Sequence, residues 1–370
     1  MTMDYLAIIL ISLLLGGISG MIMHRADFCL AGMFRDLFLF RNSPYLRSLL
    51  LLIALSMLLF EMARLMGILN HTLPSSLYGL PSLTNLIGGA LFGLGMVLAG
   101  GCVVGTLYKV GAGSIPSAGA LCGLIIGSTL YAEIHPGWKE LTQLTRLGDA
   151  ASLPQLLNAP PTAVLLMALV LMGFFLRRWW RLDKLELPSV IRHYLQPKKA
   201  AVLLAVIGLI SFTLLGMPLG ITTSYAKAGA FIEQIILPEH FATLSYFQGQ
   251  GFHYFSPLCQ RELTAGAGPF LDGLSLVQFP LIIGILLGSC ISALSMGKFQ
   301  LHFNIPRAQL LSALLGGVMM GLASRMSPAC NVWHLLGGLP LLSLQSLLFT
   351  LGLFPGAWLG TRILTRYVIK

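Results

Sequence analysis

A glycine-lined apolar segment that ends on a cysteine occurs twice in this chain and limits what the chain can fold into. The first copy, GGALFGLGMVLAGGCVVGT, covers residues 88–106, and the second, GGVMMGLASRMSPACNVWH, covers residues 316–334. Three glycines and the cysteine keep the same spacing in both copies, which pairs Cys102 with Cys330. Duplicated apolar segments of this kind are typical of membrane transporters built from two related halves.

The composition places the chain in a membrane rather than in water. Hydrophobic residues make up 56% of the 370 residues and charged residues only 10%, whereas soluble domains carry about 25% charged residues. The net charge of +10 lies mostly in short segments between apolar stretches, which indicates topology signals and contacts with anionic lipid rather than nucleic-acid binding. We therefore expect membrane lipid as a partner and no nucleic acid. The basic surplus would also attract an anionic substrate.

The predicted fold class is an all-α integral membrane protein. A helix needs about 20 apolar residues to cross a bilayer, and nine stretches meet that length. They lie near residues 4–23, 45–68, 82–101, 115–134, 160–178, 199–217, 274–297, 306–326 and 341–362. Four shorter pieces are expected to be re-entrant or interfacial helices. They lie near residues 26–40, 103–112, 222–236 and 331–338.

The order of these segments predicts two repeats of opposite orientation. Residues 1–134 hold four spans and two short pieces, and residues 199–370 hold the same set. Residues 135–198 contribute an external loop, one linking span and a basic cytoplasmic loop. Because four spans return the chain to its starting side, the linking span inserts the second repeat upside down.

Lysines and arginines are distributed unevenly over the loops. If the loops after odd-numbered spans share one side, most basic residues lie on that side, above all in loop 177–199. Basic loops stay in the cytoplasm, so we expect the N-terminus outside and the C-terminus inside. The long loops 135–159 and 237–273 then face outside, and the second of them fits either a lid or an ordered external loop.

One charged pair interrupts the second span. Glu61 and Arg64 lie one helical turn apart, so each can lower the cost of burying the other. We expect them to form an ion pair.

Three of the six cysteines are candidates for a substrate path. Cys102 and Cys330 occupy equivalent places in the two repeats, and Cys29 follows the first span. A buried cysteine is a small apolar side chain with a weak S–H donor, and weak contacts suit the permeation of a soft anion. The alternative is that each is only a buried small residue, which is the interpretation we keep for the other three. The cysteines have no metal-ligand spacing, and we predict no metal, no other cofactor and no catalytic residue.

Residues around these cysteines are predicted to support the path. The glycine pair before Cys102 either allows close helix packing or breaks the helix so that backbone N–H groups face an anion. Basic residues near the short pieces would supply positive potential, although snorkelling to the interface is the usual role of such side chains. The predicted supporting residues are Gly100, Gly101, Arg25, Lys109, Lys227, Arg325 and Asn331.

Three motifs resemble the YeeE/YedE family of bacterial sulfur transporters. They are RADFCLAGMFRD at 25–36, the segment 88–106, and SPACN at 327–331. The resemblance covers both repeats and implies an hourglass-shaped helical protein of the bacterial inner membrane, with its outer side in the periplasm. It implies that Cys29, Cys102 and Cys330 lie along a central path. It also implies a cytoplasmic sulfur carrier of the TusA type as a partner.

These features predict a transporter, and not an enzyme, that imports thiosulfate or a related small sulfur-containing anion. No nucleotide-binding GxxxxGK[ST] motif is present, so the expected driving force is a gradient or consumption of the sulfur species inside. Some family members are linked to selenium metabolism, which leaves a selenium species as an alternative substrate. A further alternative is a membrane sulfurtransferase in which Cys102 carries a persulfide, a reaction that needs an activated thiolate. The last alternative is a structural subunit that recruits a soluble carrier.

Overall fold

The fold is almost entirely helical. The computed structural model describes residues 3–40, 44–69, 77–182, 184–185, 194–249 and 251–368. Within these ranges, nine helical segments are long and apolar enough to cross a membrane, and the only sheet is a two-stranded antiparallel hairpin. The predicted class of an all-α membrane protein is confirmed.

The helices follow one another in the predicted order. The first nine are α1 (Met3–Ala26), α2 (Leu30–Phe40), α3 (Pro44–Leu65), α4 (Leu83–Leu98), α5 (Val103–Gly111), α6 (Ile115–Leu144), α7 (Leu153–Leu157), α8 (Pro161–Arg181) and α9 (Pro197–Leu215). The remaining elements are α10 (Thr222–Ile236), α11 (Pro238–Thr243), α12 (Ser245–Gln248), β1 (Phe252–Ser256), β2 (Arg261–Ala265), α13 (Gly273–Ser295), α14 (Arg307–Met326) and α15 (Leu344–Ile363). Two π-helical segments, Trp333–Gly338 and Leu364–Val368, precede and continue α15. The four predicted short pieces correspond to α2, α5, α10 and the π-helical segment Trp333–Gly338.

Helix α6 is longer than the sequence predicts. The predicted span lies near 115–134 and a loop was expected from residue 135, but the helix continues through Pro136 to Leu144. Trp138 explains the difference, because its Nε1 donates to the carbonyl oxygen of Met326 at 2.9 Å. Tertiary contact therefore holds the helix through a proline that would favour a turn in isolation.

The described part of loop 237–273 contains two short helices and the hairpin of β1 and β2. Strands β1 and β2 pair with Phe252 opposite Ala265 and Ser256 opposite Arg261. The hairpin is joined to the helices by Tyr254, whose hydroxyl donates to the carbonyl oxygen of Gly273 at 3.0 Å. The hairpin is thus tied to the N-terminus of α13.

Each of the main helix pairs joins a helix of one predicted repeat to a helix of the other. If α1, α3, α4 and α6 correspond in order to α9, α13, α14 and α15, then each contact has a counterpart. Helix α4 packs on α15 as α14 packs on α6, and α1 packs on α13 as α9 packs on α3. Helices α4 and α14 also pack on each other. This exchange supports two related units, whose boundaries and opposite orientation remain predictions.

The repeated glycines allow the helix backbones to touch. A Cβ atom at Gly93 would lie 2.5 Å from the carbonyl oxygen of Leu353 in α15 and 2.9 Å from the backbone nitrogen of Ala357. Its counterpart Gly321 faces α6 in the same way, where a Cβ atom would meet the backbone of Leu124. Packing of small residues against facing backbones stabilises helix contacts in membranes, so these glycines are required for assembly of the two halves.

The ion pair predicted within the second span is present. Arg64 donates from Nε to Oε2 of Glu61 at 2.8 Å and from Nη2 to Oε1 at 2.6 Å. The pair lines a cavity of about 890 Å³ between α3, α7 and α8. Its side chains are 12% exposed for Glu61 and 32% for Arg64, so its contribution to stability is that of a partly solvated pair.

Substituting Gly93 tests whether the repeated glycines of α4 and α14 allow close helix packing. Gly93→Ala is expected to lower the free energy of unfolding by about 1–3 kcal/mol, because overpacking forces the backbones of α4 and α15 apart. Gly119→Ala in α6 is the control, since a Cβ atom there meets nothing within 4 Å and alanine favours a helix. Thermal melting of the purified proteins in detergent measures the stability of both variants. Equal melting temperatures would contradict the packing role.

Candidate functional site

Each of the three candidate cysteines lies directly before a short helix. Cys29 precedes α2, Cys102 precedes α5, and Cys330 precedes the helical turn that leads into the π-helical segment Trp333–Gly338. In each case the carbonyl oxygen of the cysteine accepts a backbone hydrogen bond from the residue four positions later, at 3.0, 2.6 and 3.0 Å. Because the N-terminus of a helix carries partial positive charge, all three sites favour an anion near the sulfur.

Cys102 is the N-cap residue of α5. Its Sγ accepts a hydrogen bond from the backbone N–H of Gly105 at 3.2 Å. The turn that brings it there requires Gly100, whose φ of 69° lies in the left-handed region. The N–H groups of Gly100 and Gly101 bond to carbonyl oxygens of α4. The predicted helix break is therefore present, but these two N–H groups do not face a substrate.

Cys330 has an equivalent environment in the second repeat. The backbone N–H groups of Val332 and Trp333 face its sulfur, and Trp333 holds the position equivalent to Gly105. The preceding residue, Ala329, has a φ of 104°, a conformation that non-glycine residues rarely adopt and that accumulates at functional sites. Ala329 stands where the first repeat has Gly101.

Cys29 and Cys102 lie side by side. A Cβ atom at Gly105 would be 2.8 Å from the sulfur of Cys29 and 3.2 Å from the sulfur of Cys102. The two thiols are therefore neighbours across Gly105, and only a residue without a side chain leaves room for both. Cys29 is 4% exposed, and Cys102 and Cys330 are fully buried.

Buried polar groups surround the thiols. Tyr225 lies near both Cys102 and Cys330, and Tyr78 lies near Cys330. In the described part of the chain, four polar atoms in this region have no hydrogen-bond partner although they are buried. They are Oη of Tyr78, Oγ1 of Thr106, Oη of Tyr225 and Oδ1 of Asn331. Unpaired buried polar atoms are costly, so this region offers free donors and acceptors to a polar molecule.

Two cavities approach the thiols from opposite ends. The first, which we call the α5 cavity, has a volume of about 660 Å³ and is lined by Arg25, Asp27, Tyr108 and Lys109 among others. The second, the α14 cavity, has a volume of about 870 Å³. Its lining includes Thr222, Thr223, Arg325, Ala329 and Trp333. A third, much smaller and apolar cavity is lined by Val104 and Val332 among others.

Arg325 is a buried cation at the floor of the α14 cavity. It is 7% exposed, and its guanidinium donates to the hydroxyl of Thr222 at 2.5 Å and of Thr223 at 3.2 Å. Among the described residues no carboxylate pairs with it. A buried guanidinium that has only hydroxyl partners is suited to an anion.

The basic residues predicted near Cys102 lie in the α5 cavity. Lys109 donates from Nζ to the carbonyl oxygen of Gly100 at 2.6 Å, and Arg25 donates to the hydroxyl of Ser295 at 3.3 Å. Tyr108 donates to the carboxylate of Asp27 at 3.0 Å. Both cations therefore line the opening on the side of Cys29 and Cys102.

Lys227, one of the predicted supporting residues, uses its hydrogen bonds at the start of α13. Its Nζ donates to Asp272 at 2.9 Å, to the carbonyl oxygen of Phe270 at 3.0 Å and to that of Gly268 at 3.2 Å. An ammonium group has three donors, so none is left for a substrate. Lys227 instead joins α10 to the N-terminus of α13, which Asp272 caps.

The ion pair of Lys227 is expected to contribute to stability. Lys227→Met leaves the buried carboxylate of Asp272 without its cation, which costs about 3–5 kcal/mol in comparable pairs. We expect a clear fall in melting temperature and in folded yield, whereas Lys139→Met at an exposed position should melt like the unchanged protein. If both variants melt alike, the ion pair contributes nothing to stability, which would contradict this prediction.

Sequence reasoning missed several residues of this region. Gly105 was included in the first motif but was given no role, although it sets the distance between two thiols. Thr222, Thr223 and Tyr225 belong to GITTSYAKAGAF, the segment of the second repeat that aligns loosely with the segment around Cys29. That alignment was the available signal, since equivalent short pieces reach equivalent places in the two repeats.

Comparisons with known proteins identify the family of this chain. The family described as sulphur transport matches residues 25–359. The chain belongs to this family. It is 28% identical to the thiosulfate transporter TsuA of Spirochaeta thermophila over 96% of this chain and 98% of that protein. It is also 28% identical to TsuA of Escherichia coli, over 95% of each chain. The probable transporter YedE of Salmonella typhimurium is 32% identical over 39% of this chain and 36% of its own length, so the resemblance to YeeE/YedE proteins is confirmed.

Proposed function

We propose that this chain imports thiosulfate, or a closely related small sulfur anion, across the bacterial inner membrane. Two relatives that align over nearly its whole length are named thiosulfate transporters. The observation that supports the proposal is that three buried thiols each lie at a helix N-terminus, while two cavities with basic residues in their linings come close to them, at Asp27 and at Ala329. Such a region binds a soft anion weakly enough to release it, which permeation requires.

The proposed path runs from the α14 cavity to the α5 cavity. Arg325 attracts the dianion to the floor of the outer cavity, beside Cys330. The anion then contacts Cys102 and Cys29, and it leaves toward Lys109. Each thiol stays neutral and donates a weak S–H hydrogen bond, so no covalent bond forms along the path.

The remaining supporting residues have structural roles in this proposal. Gly100 shapes the turn before Cys102, and Gly101 fits against the start of α5, where a Cβ atom would lie 3.2 Å from the nitrogen of Thr106. Asn331 keeps a buried amide next to Cys330 and contacts the sulfur of Met96 at 3.8 Å. Arg25 adds positive charge to the exit.

The orientation follows from the distribution of charge. We place the N-terminus in the periplasm and the C-terminus in the cytoplasm, so that the α14 cavity opens outward under the hairpin β1–β2. A reporter fused at the C-terminus is expected to be active in the cytoplasm, and one inserted in loop 237–273 in the periplasm. The reverse pattern would overturn the orientation and leave the two related units unaffected.

A soluble sulfur carrier of the TusA type would take up the anion on the cytoplasmic side. The basic opening of the α5 cavity is the surface available to it. Consumption of the anion by such a carrier would keep its concentration low inside and sustain net import. Transport itself does not need the carrier in this proposal.

Uptake into liposomes that contain only the purified protein tests the proposal. Labelled thiosulfate should accumulate to equilibrium with no partner present, and unlabelled thiosulfate should compete better than sulfate. Competition by a selenium oxyanion at lower concentration would instead identify a selenium species as the substrate. Absence of uptake without a soluble carrier would contradict the proposal and favour the sulfurtransferase or the recruiting subunit.

A further inference from the structure

The contact between Cys29 and Cys102 has no counterpart in the second repeat. Gly105, which leaves room for the two sulfurs, is replaced there by Trp333. The ring of Trp333 packs against the segment just before α10, where a Cβ atom at Gly220 would lie 2.5 Å from the ring. Cys330 contacts backbone N–H groups, and no second thiol within the described ranges makes a hydrogen bond to it. The thiol pair is therefore a property of one repeat, beyond what a symmetric path requires.

The position of the pair favours thiol chemistry. Cys29 and Cys102 stand at the N-termini of α2 and α5, which have 11 and 9 residues. Helix N-termini stabilise negative charge that develops on a sulfur atom during nucleophilic attack. Both sulfurs border the same point, the position of a Cβ atom at Gly105, so a bond between them requires the two side chains to turn toward each other.

We propose that Cys29 and Cys102 form a redox site for polythionates, which are sulfur–sulfur dianions of the tetrathionate type. The sulfonate groups of tetrathionate resemble that of thiosulfate in charge and width, so a path that accepts thiosulfate can admit one end of the chain. The product is a disulfide between Cys29 and Cys102. Part of this inference, the effect on transport, rests on the proposed function.

The reaction balances with tetrathionate as the oxidant. One thiol loses its proton and attacks an inner sulfur of tetrathionate; the central sulfur–sulfur bond breaks, and one thiosulfate leaves. The second thiol loses its proton and attacks the protein sulfur of this adduct, and the second thiosulfate leaves. Two thiols and one tetrathionate give one disulfide, two thiosulfate ions and two protons, with two electrons passing from the thiols to tetrathionate.

The disulfide would stop uptake. It removes two of the three S–H donors from the path and links the start of α2 to the start of α5. A reductant reverses both effects. Import would thus respond to the redox state of the sulfur pool outside, because tetrathionate is the oxidised dimer of the proposed substrate.

Peptide mapping under non-reducing conditions tests the site. Purified protein is treated with tetrathionate, denatured, alkylated with a maleimide and digested, both as the unchanged chain and with Cys122, Cys259 and Cys290 replaced by serine. We expect one crosslinked peptide pair that joins Cys29 to Cys102, while Cys330 forms no crosslink. In Cys29→Ser we expect Cys102 to remain uncrosslinked.

Two results would overturn the inference. The first is full alkylation of Cys29 and Cys102 after treatment, and the second is a crosslink from Cys102 to Cys330. The crosslink is read on the protein, so it stands or falls independently of the proposed function. Uptake into liposomes should fall with crosslinking and return after reduction with a phosphine; full uptake by the crosslinked protein would refute the effect on transport.

Discussion

Replacement of Cys330 or Cys102 by alanine is expected to reduce thiosulfate uptake to the level of liposomes without protein. Alanine removes the thiol donor at each place, and both residues are fully buried, so water cannot take the place of the lost S–H group. Serine keeps a donor of similar shape but is harder and more strongly solvated, so it should retain part of the uptake. Cys29→Ala should cause a smaller loss, because the second repeat functions without an equivalent thiol.

The matched control is Cys290→Ala in α13, a half-buried cysteine outside the path. It should leave uptake unchanged at equal amounts of folded protein. Initial rates in liposomes measure the whole series. A serine variant of Cys102 that is as inactive as the alanine variant would favour covalent sulfur transfer, since only that mechanism needs a nucleophilic sulfur at this position.

Arg325→Gln should raise the thiosulfate concentration needed for half-maximal uptake by roughly tenfold or more. Hydrogen bonds to charged groups contribute about 1.5–3 kcal/mol, and the guanidinium of Arg325 is a buried cation at the floor of the α14 cavity. Arg325→Lys keeps the charge but loses the planar pair of donors. Its half-maximal thiosulfate concentration should therefore lie between that of the unchanged protein and that of Arg325→Gln.

Lys139→Gln is the control for this change. Lys139 also lines the α14 cavity, but it is exposed and screened by solvent, so its loss should have little effect. Concentration dependence of uptake, measured at equal folded protein, distinguishes the variants. Equal effects of both substitutions would show that the cavity acts only through its overall charge and that Arg325 has no specific part.

The sequence predicts the helical framework well because burial in a membrane is a strong local requirement. Apolar length alone locates the nine spans, and the spacing of Gly93 and Gly321 identifies helices that must approach closely. The ion pair of Glu61 and Arg64 is also local, since one helical turn separates the two residues. These features follow from composition and periodicity without knowledge of distant contacts.

The features that the sequence does not predict depend on distant contacts. Lys227 appears available for an anion until Asp272, 45 residues later in the chain, is placed beside it. Helix α6 extends past Pro136 only because Trp138 reaches the end of α14. The pairing of Cys29 with Cys102 depends on the fold of α1 and α5 around Gly105, and no spacing rule connects the two cysteines in sequence.

The central claim is that thiosulfate crosses this protein intact along the three thiols. It is tested most directly with two preparations of thiosulfate, labelled either in the outer sulfur or in the sulfonate sulfur, and liposomes that contain only the purified chain. The account predicts that both labels enter at the same rate and that the mass of the protein does not change. Entry or protein binding of the outer sulfur alone, with the sulfonate sulfur left outside, would contradict it.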